Sequence, residues 1–175
     1  MELKDFIAQI LDSNWDMVQK AVEGLTSEEL SKRPTDQCNS IGWLMWHTAR
    51  AEDILINGSM QQKPQVWIQE GWYKKFNMEP DPEDEGYQHT PDQLAAFKVP
   101  DLETLKGYWT AVRNNTKAYL NSLRPADLER RIPAMTGDGT SSVGDYLAFV
   151  LDEVLVHGGQ IAYLRGMHRG MGWWA

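Results

Sequence analysis

The sequence predicts an all-α protein, a four-helix bundle with a long crossover between the second and third helices. Three observations support this. Four segments repeat apolar residues at the three- and four-residue spacing of a one-sided helix. Good capping residues, Ser40, Asp101 and Ser142, stand where the later three begin. Between the second and third, from Gln61 to Pro100, the pattern is broken by Pro64, Gly71, Pro80, Pro82, Gly86, Pro91 and Pro100. No persistent period-two alternation, internal repeat or low-complexity segment is present.

From Glu2 to about Glu23, Leu3, Phe6, Ile7, Ile10, Met17, Val18 and Ala21 trace one face of the first helix, with Gly24 as its stop. Thr26 and Glu29 have capping-box spacing, so a short helical turn is expected before Pro34. In the second helix Ile41, Leu44, Thr48, Ala51 and Leu55 face inward together with His47, and Asn57-Gly58 supplies the end. The crossover holds an acidic run from Glu79 to Glu85 and one amphipathic piece, Gln65 to Phe76, expected to lie over the end of the bundle. The third helix starts after Asp101 and buries Leu102, Leu105, Trp109, Val112, Tyr119, Leu120 and Leu123, ending before Pro125. A loop is expected from Arg130 to Thr140. Ser142 and Asp145 then launch a fourth helix running to Gly166, with Val143, Leu147, Val150, Val154, Ile161 and Leu164 as its buried stripe.

At 175 residues the chain suits a single domain, residues 1–175. A formal charge of −8 with no Lys/Arg run argues against a nucleic-acid backbone or an anionic membrane as partner. Cys38 is the only cysteine, so no internal disulfide can form, and a cytoplasmic location is the expectation. Met1 to Asp5 lacks the basic start and apolar block of a signal peptide, and no run of about 18 apolar residues suggests a membrane span. Eight tryptophans point to a cavity or interface where a large apolar body meets a polar partner.

The fourth helix carries the chemistry. Glu153 and His157, an i, i+4 pair, fall on or beside its buried stripe. Together with His47 they offer two imidazoles and a carboxylate, and three protein ligands leave a coordination position open. That donor set suits zinc, nickel, manganese or ferrous iron. The competing reading is a buried Glu153–His157⁺ ion pair, because a buried carboxylate needs a partner of some kind. His89 and His168 are expected to be solvated, and Asp152 and Glu52 to lie off the inward stripe. Gly158-Gly159 inside a helix costs about 1 kcal/mol per glycine relative to alanine, which implies close approach of another helix or a ligand. Gln160 is expected to bond a neighbouring helix, and Cys38 to be a buried or inert thiol.

Leu25-Thr26-x-x-Glu29-Leu30 before Pro34, then Ser40-Ile41-Gly42-Trp43-Leu44-x-x-His47-x-Ala49-x-x-Glu52, then His157-x-Gly159-Gln160, resemble the DinB/YfiT-like superfamily over nearly the whole chain. The resemblance implies a four-helix bundle, often a homodimer, holding a divalent metal with three histidines. Here it assigns His47 and His157 as ligands, with Glu153 where the family commonly has histidine; the family's frequent arginine after the last ligand is Gly158. It implies a metal-dependent transferase that activates a low-molecular-weight thiol for attack on a small electrophile. The alternatives are a metal-dependent hydrolase using activated water and a non-catalytic metal- or ligand-binding bundle of a stress response. Trp43, Trp46, Trp67, Trp72 and Tyr73 are the expected apolar mouth for the small-molecule substrate.

Overall fold

The computed structural model describes residues 1–174. Its frame is the four long helices α1 (Leu3–Val22), α3 (Ile41–Asp53), α7 (Leu102–Ser122) and α8 (Val143–Arg169). Around the ring α8 packs on α1 and α3, and α7 packs on α3 and α1. The short α2 (Ser27–Ser31) follows α1, with the Thr26–Glu29 capping box formed as expected. The crossover contains α4 (Val66–Gln69), α5 (Trp72–Phe76) and α6 (Pro91–Ala96).

Caps account for where the later helices start. The Ser40 hydroxyl accepts from the Trp43 amide, the Asp101 carboxylate from the Thr104 amide, and Ser142 and Asp145 bond reciprocally. The α8 stripe is buried at all six expected positions. The gap between Val154 and Ile161 is bridged by Gly158, where a Cβ would meet the Asn14 amide nitrogen of α1 at 2.2 Å. One of the paired glycines therefore permits helix contact; Gly159 has nothing within 4 Å. By length and composition α8 is apolar enough to cross a membrane, and 33% of its apolar window is buried, on the face that packs between α1 and α3.

On α1 the buried face is Ile7, Leu11, Trp15, Val18, Ala21 and Val22, while Leu3 and Phe6 are exposed. The α3 rod does not stop at Asn57-Gly58 but widens into a π-helix, Ile54–Met60, along which Asn57 donates to Asp53 and Gln61 donates to Asn57. The amphipathic piece from Gln65 to Phe76 is two short helices, both buried on one side by Val66, Trp67, Trp72 and Phe76. The expected loop from Arg130 to Thr140 contains a two-stranded antiparallel hairpin, β1 (Arg131–Pro133) and β2 (Thr140–Ser142), whose Ile132 is buried.

The apolar interior forms two clusters. One gathers Trp15, Val18, Trp46, Trp67, Tyr108, Trp109 and Ile161; the other Ile7, Leu11, Ile56, Leu120, Val143, Leu147 and Val154. Between them on every long helix stand polar residues: Asn14 on α1, Arg50, Glu52 and Asp53 on α3, Arg113 and Thr116 on α7, and His157 on α8. Glu52, expected off the inward stripe, is fully buried. Its carboxylate accepts two hydrogen bonds of 2.9 Å from Arg113 and one of 2.6 Å from Thr116, and Arg113 also donates to the Leu11 carbonyl. Asp53 accepts from the Val66 and Trp67 amides, from Asn57 and from Tyr108.

Removing one member of such a pair strands the other charge in the interior. Glu52→Leu is expected to destabilise the protein by about 3–5 kcal/mol in urea unfolding, and Glu52→Leu with Arg113→Met to recover most of that loss.

Candidate metal centre

His47 reaches the site from the middle of α3, and Glu153 and His157 from successive turns of α8. The Glu153 Oε2 atom lies 3.1 Å from His157 Nε2 and 3.6 Å from His47 Nε2. One donor atom from each residue falls within 4.8 Å of the other two. Ligands held at about 2.0–2.1 Å around a tetrahedral ion sit roughly 3.3 Å apart, between the two measured separations.

The far nitrogen of each ring is held by an oxygen. His47 Nδ1 lies 2.5 Å from the Glu85 backbone carbonyl, and His157 Nδ1 lies 2.8 Å from the Gln160 side-chain carbonyl. In a neutral ring each Nδ1–H donates outward, which leaves the Nε2 lone pair facing the shared point. This is the outer arrangement that orients metal-binding histidines. Gln160, expected to bond another helix, instead bonds a ring one turn back on its own. Trp43 stacks on His47 with centroids 4.8 Å apart and planes 13° apart, fixing the ring from a third side.

The crossover is tied down by Arg50. Its buried guanidinium donates to the carbonyls of Asp81, Pro82 and Asp84 and to the Gln65 side chain, and stacks over Trp67. Those bonds bring the next carbonyl, that of Glu85, to His47. Gly86 follows at φ +84°, where a Cβ would meet Trp43 at 2.6 Å and Trp46 at 2.7 Å, so only glycine lets the strap lie this close.

The site opens into a cavity of about 1040 Å³. Trp43 is on its wall, but Trp46, Trp67 and Trp72 are buried in the core cluster and Tyr73 packs against it, so four of the five expected mouth residues do not line it. The wall comes instead from the crossover and hairpin, including Tyr87, His89 and Met135, and from Tyr146 and Phe149 of α8. His89, expected in solvent, is largely buried: Trp43 donates to its Nδ1 at 3.3 Å, and its Nε2 lies 3.5 Å from Asp84. His168 is half-buried beside the end of α8, where burial lowers its pKa. Asp152 is exposed, and Cys38 is half-buried, accepting from the Thr35 hydroxyl.

Hydrogen bonds from His157 and then His47 hold the Glu153 carboxyl at about 2, below its usual 4.5. Burial pulls the His157 pKa down, but the hydrogen bonds to Glu153 and Gln160 and the charges of Glu153 and Asp152 together outweigh it and leave the imidazole above its usual 6.5. Burial also pushes the Glu85 carboxyl up, against the pull of His47.

The profile of the DinB superfamily matches residues 10–161, and the chain belongs to that superfamily, whose members are metal-binding in general. The fold is also similar to the crystal structure of a conserved protein from Enterococcus faecalis, with a TM-score of 0.87 and 26% sequence identity over 98% of this chain and 99% of that one. No curated protein matches the sequence.

Two outcomes are expected. Gln160→Ala should weaken metal affinity about 10- to 100-fold while far-ultraviolet circular dichroism stays unchanged, because the His157 ring loses its outer anchor. In the metal-free protein, Glu153 is shifted down, so its contribution is present above pH 4.5 and lost as pH falls toward 2; His157 is shifted up, so its contribution is present below pH 6.5 and lost as pH rises through its raised value. The stability difference between wild type and Glu153→Gln, from urea unfolding with chelator present, should therefore be largest between pH 4.5 and 6.5.

Proposed function

We propose that this DinB-superfamily protein is a metal-dependent transferase that activates a low-molecular-weight thiol for attack on a small electrophile, with His47, Glu153 and His157 holding a divalent ion. The supporting observation is the convergence of two outward-anchored imidazoles and one carboxylate on the wall of a cavity. Ligand cavities commonly measure about 300–1,000 Å³, so about 1040 Å³ leaves room for a thiol and an acceptor together. A divalent ion supplies the positive charge that lowers the pKa of a thiol placed beside it.

The chain's own residues prepare that chemistry. Glu85 and Gln160 keep the Nδ1 protons of His47 and His157, so both Nε2 atoms stay available as donors. Glu153 contributes a carboxylate that stays ionised at neutral pH. Trp43 gives the cavity an aromatic wall and holds His89 in place through its indole N–H. In the transfer, the S–H proton is lost to solvent, a carbon–sulfur bond forms, and the leaving group departs with its bonding pair.

One observation favours a second reading, hydrolysis by activated water. The Glu85 carboxyl, raised by burial, faces the same cavity and would be the base. A purified, metal-loaded protein offered 1-chloro-2,4-dinitrobenzene with 2-mercaptoethanol should accelerate thioether formation, and His157→Ala should fall to background. Ester cleavage without thiol would put the hydrolase first; neither activity would leave a binding protein.

A further inference from the structure

The cavity around the three donors has a one-sided charge. Its lining includes Glu83, Glu85 and Glu153, and among the described residues no lysine or arginine contributes to it. Glu153 is engaged by the two histidines. Glu85 is different: among the described residues, no cation or hydrogen-bond donor meets its side chain, although it is half-buried and its own backbone carbonyl is bound to His47. The nearby guanidinium of Arg50 spends its donors on backbone carbonyls and on Gln65 and Tyr108. A half-buried carboxylate without a partner favours a ligand that brings one. Three of the chain's exposed apolar side chains, Tyr87, Met135 and Phe149, also line this cavity, and aromatic faces attract cations as well as apolar surface.

We propose, building on the thiol-transfer reading, that the small molecule taken beside the three donors carries a protonated amine that pairs with Glu85, and that thiols bearing carboxylates are rejected. Glu153 would offset one of the two positive charges of a divalent ion held there, and the thiolate of a bound thiol the other. The rest of the ligand then faces Glu85 and Glu83. A carboxylate there meets like charge, and the nearby guanidinium of Arg50 has its donors engaged on carbonyls and Gln65, whereas an ammonium gains a charge-assisted hydrogen bond. The absence of an arginine fork separates this wall from sites built to clamp carboxylate or phosphate.

The test uses the metal-loaded protein at low ionic strength, with binding read from indole N–H shifts in nuclear magnetic resonance, Trp43 being on the cavity wall. Cysteamine, 2-mercaptoethanol and mercaptoacetate are nearly equal in size and carry positive, zero and negative charge. Cysteamine should bind at least about tenfold more tightly than mercaptoacetate, with 2-mercaptoethanol between them, as one charge pair at partly screened contact distance allows. Glu85→Gln should remove most of that preference, and the exposed control Glu103→Gln should leave it. A second pair without sulfur, butylammonium and butyrate, keeps the two ideas apart. If the thiols do not bind but butylammonium is preferred and the preference depends on Glu85, the thiol reading falls and the charge assignment stands. Equal response to both charges, a preference for the anion, or a preference unchanged in Glu85→Gln overturns the proposal.

Discussion

A guanidinium buried in a helical bundle must find acceptors or the fold pays the cost of a bare charge, and Arg50 meets that demand by drawing the crossover onto α3. It has no exposed surface, and the acceptors within its reach include the carbonyls of Asp81, Pro82 and Asp84 in an otherwise irregular acidic segment. That segment has little apolar surface of its own to hold it, since Asp81, Pro82 and Glu83 are exposed. Binding by Arg50 thus converts a proline-broken stretch into a fixed strap. The strap presents the Glu85 carbonyl to His47, the Glu85 side chain to the cavity and His89 to Trp43. A geometry useful for metal binding is in this way linked to a requirement of folding.

The same logic extends across the bundle. Within four residues α3 buries Arg50, Glu52 and Asp53, and each fixes a different neighbour. Arg50 secures the crossover; Glu52 secures α7 through Arg113 and, through that arginine's further bond to the Leu11 carbonyl, α1; Asp53 secures the start of α4. These groups divide the apolar interior into two clusters. Unpaired, they would each be destabilising; satisfied as a network, they tie α3 to α1, α4, α7 and the crossover, and α8 meets α3 at the same level through Glu153 and His47. The candidate metal centre sits where this polar layer reaches the cavity, with Gly158 allowing α1 to approach the same turn of α8 through Asn14.

Much of this was legible in the sequence. The four helices carry their apolar spacing and caps openly, and the i, i+4 placement of Glu153 and His157 beside a buried stripe marks the pair that the fold brings to His47. Less was legible where tertiary partners decide. Glu52 reads as a surface acid because its partner, Arg113, is 61 residues away. His89 reads as solvated because it lies among prolines and acids, and only the fold of the strap places it on Trp43. The hairpin was hidden because strands of three residues are too short for a period-two signal. Trp46, Trp67 and Trp72 read as a mouth on aromatic character alone, yet their bulk fills the core beneath the crossover. A signal for the role of Gln160 was present: it stands three residues after His157, within reach of the ring from the next turn.

We propose that His47, Glu153 and His157 together hold one divalent ion. Elemental analysis of purified wild type beside Glu153→Ala and His157→Ala, at matched helical content, tests it most directly. One ion per chain is expected in wild type, and none in either variant. A wild type that takes up no ion when divalent metals are supplied, or variants that keep theirs, would contradict it and leave Glu153 and His157 as an ion pair within the polar layer.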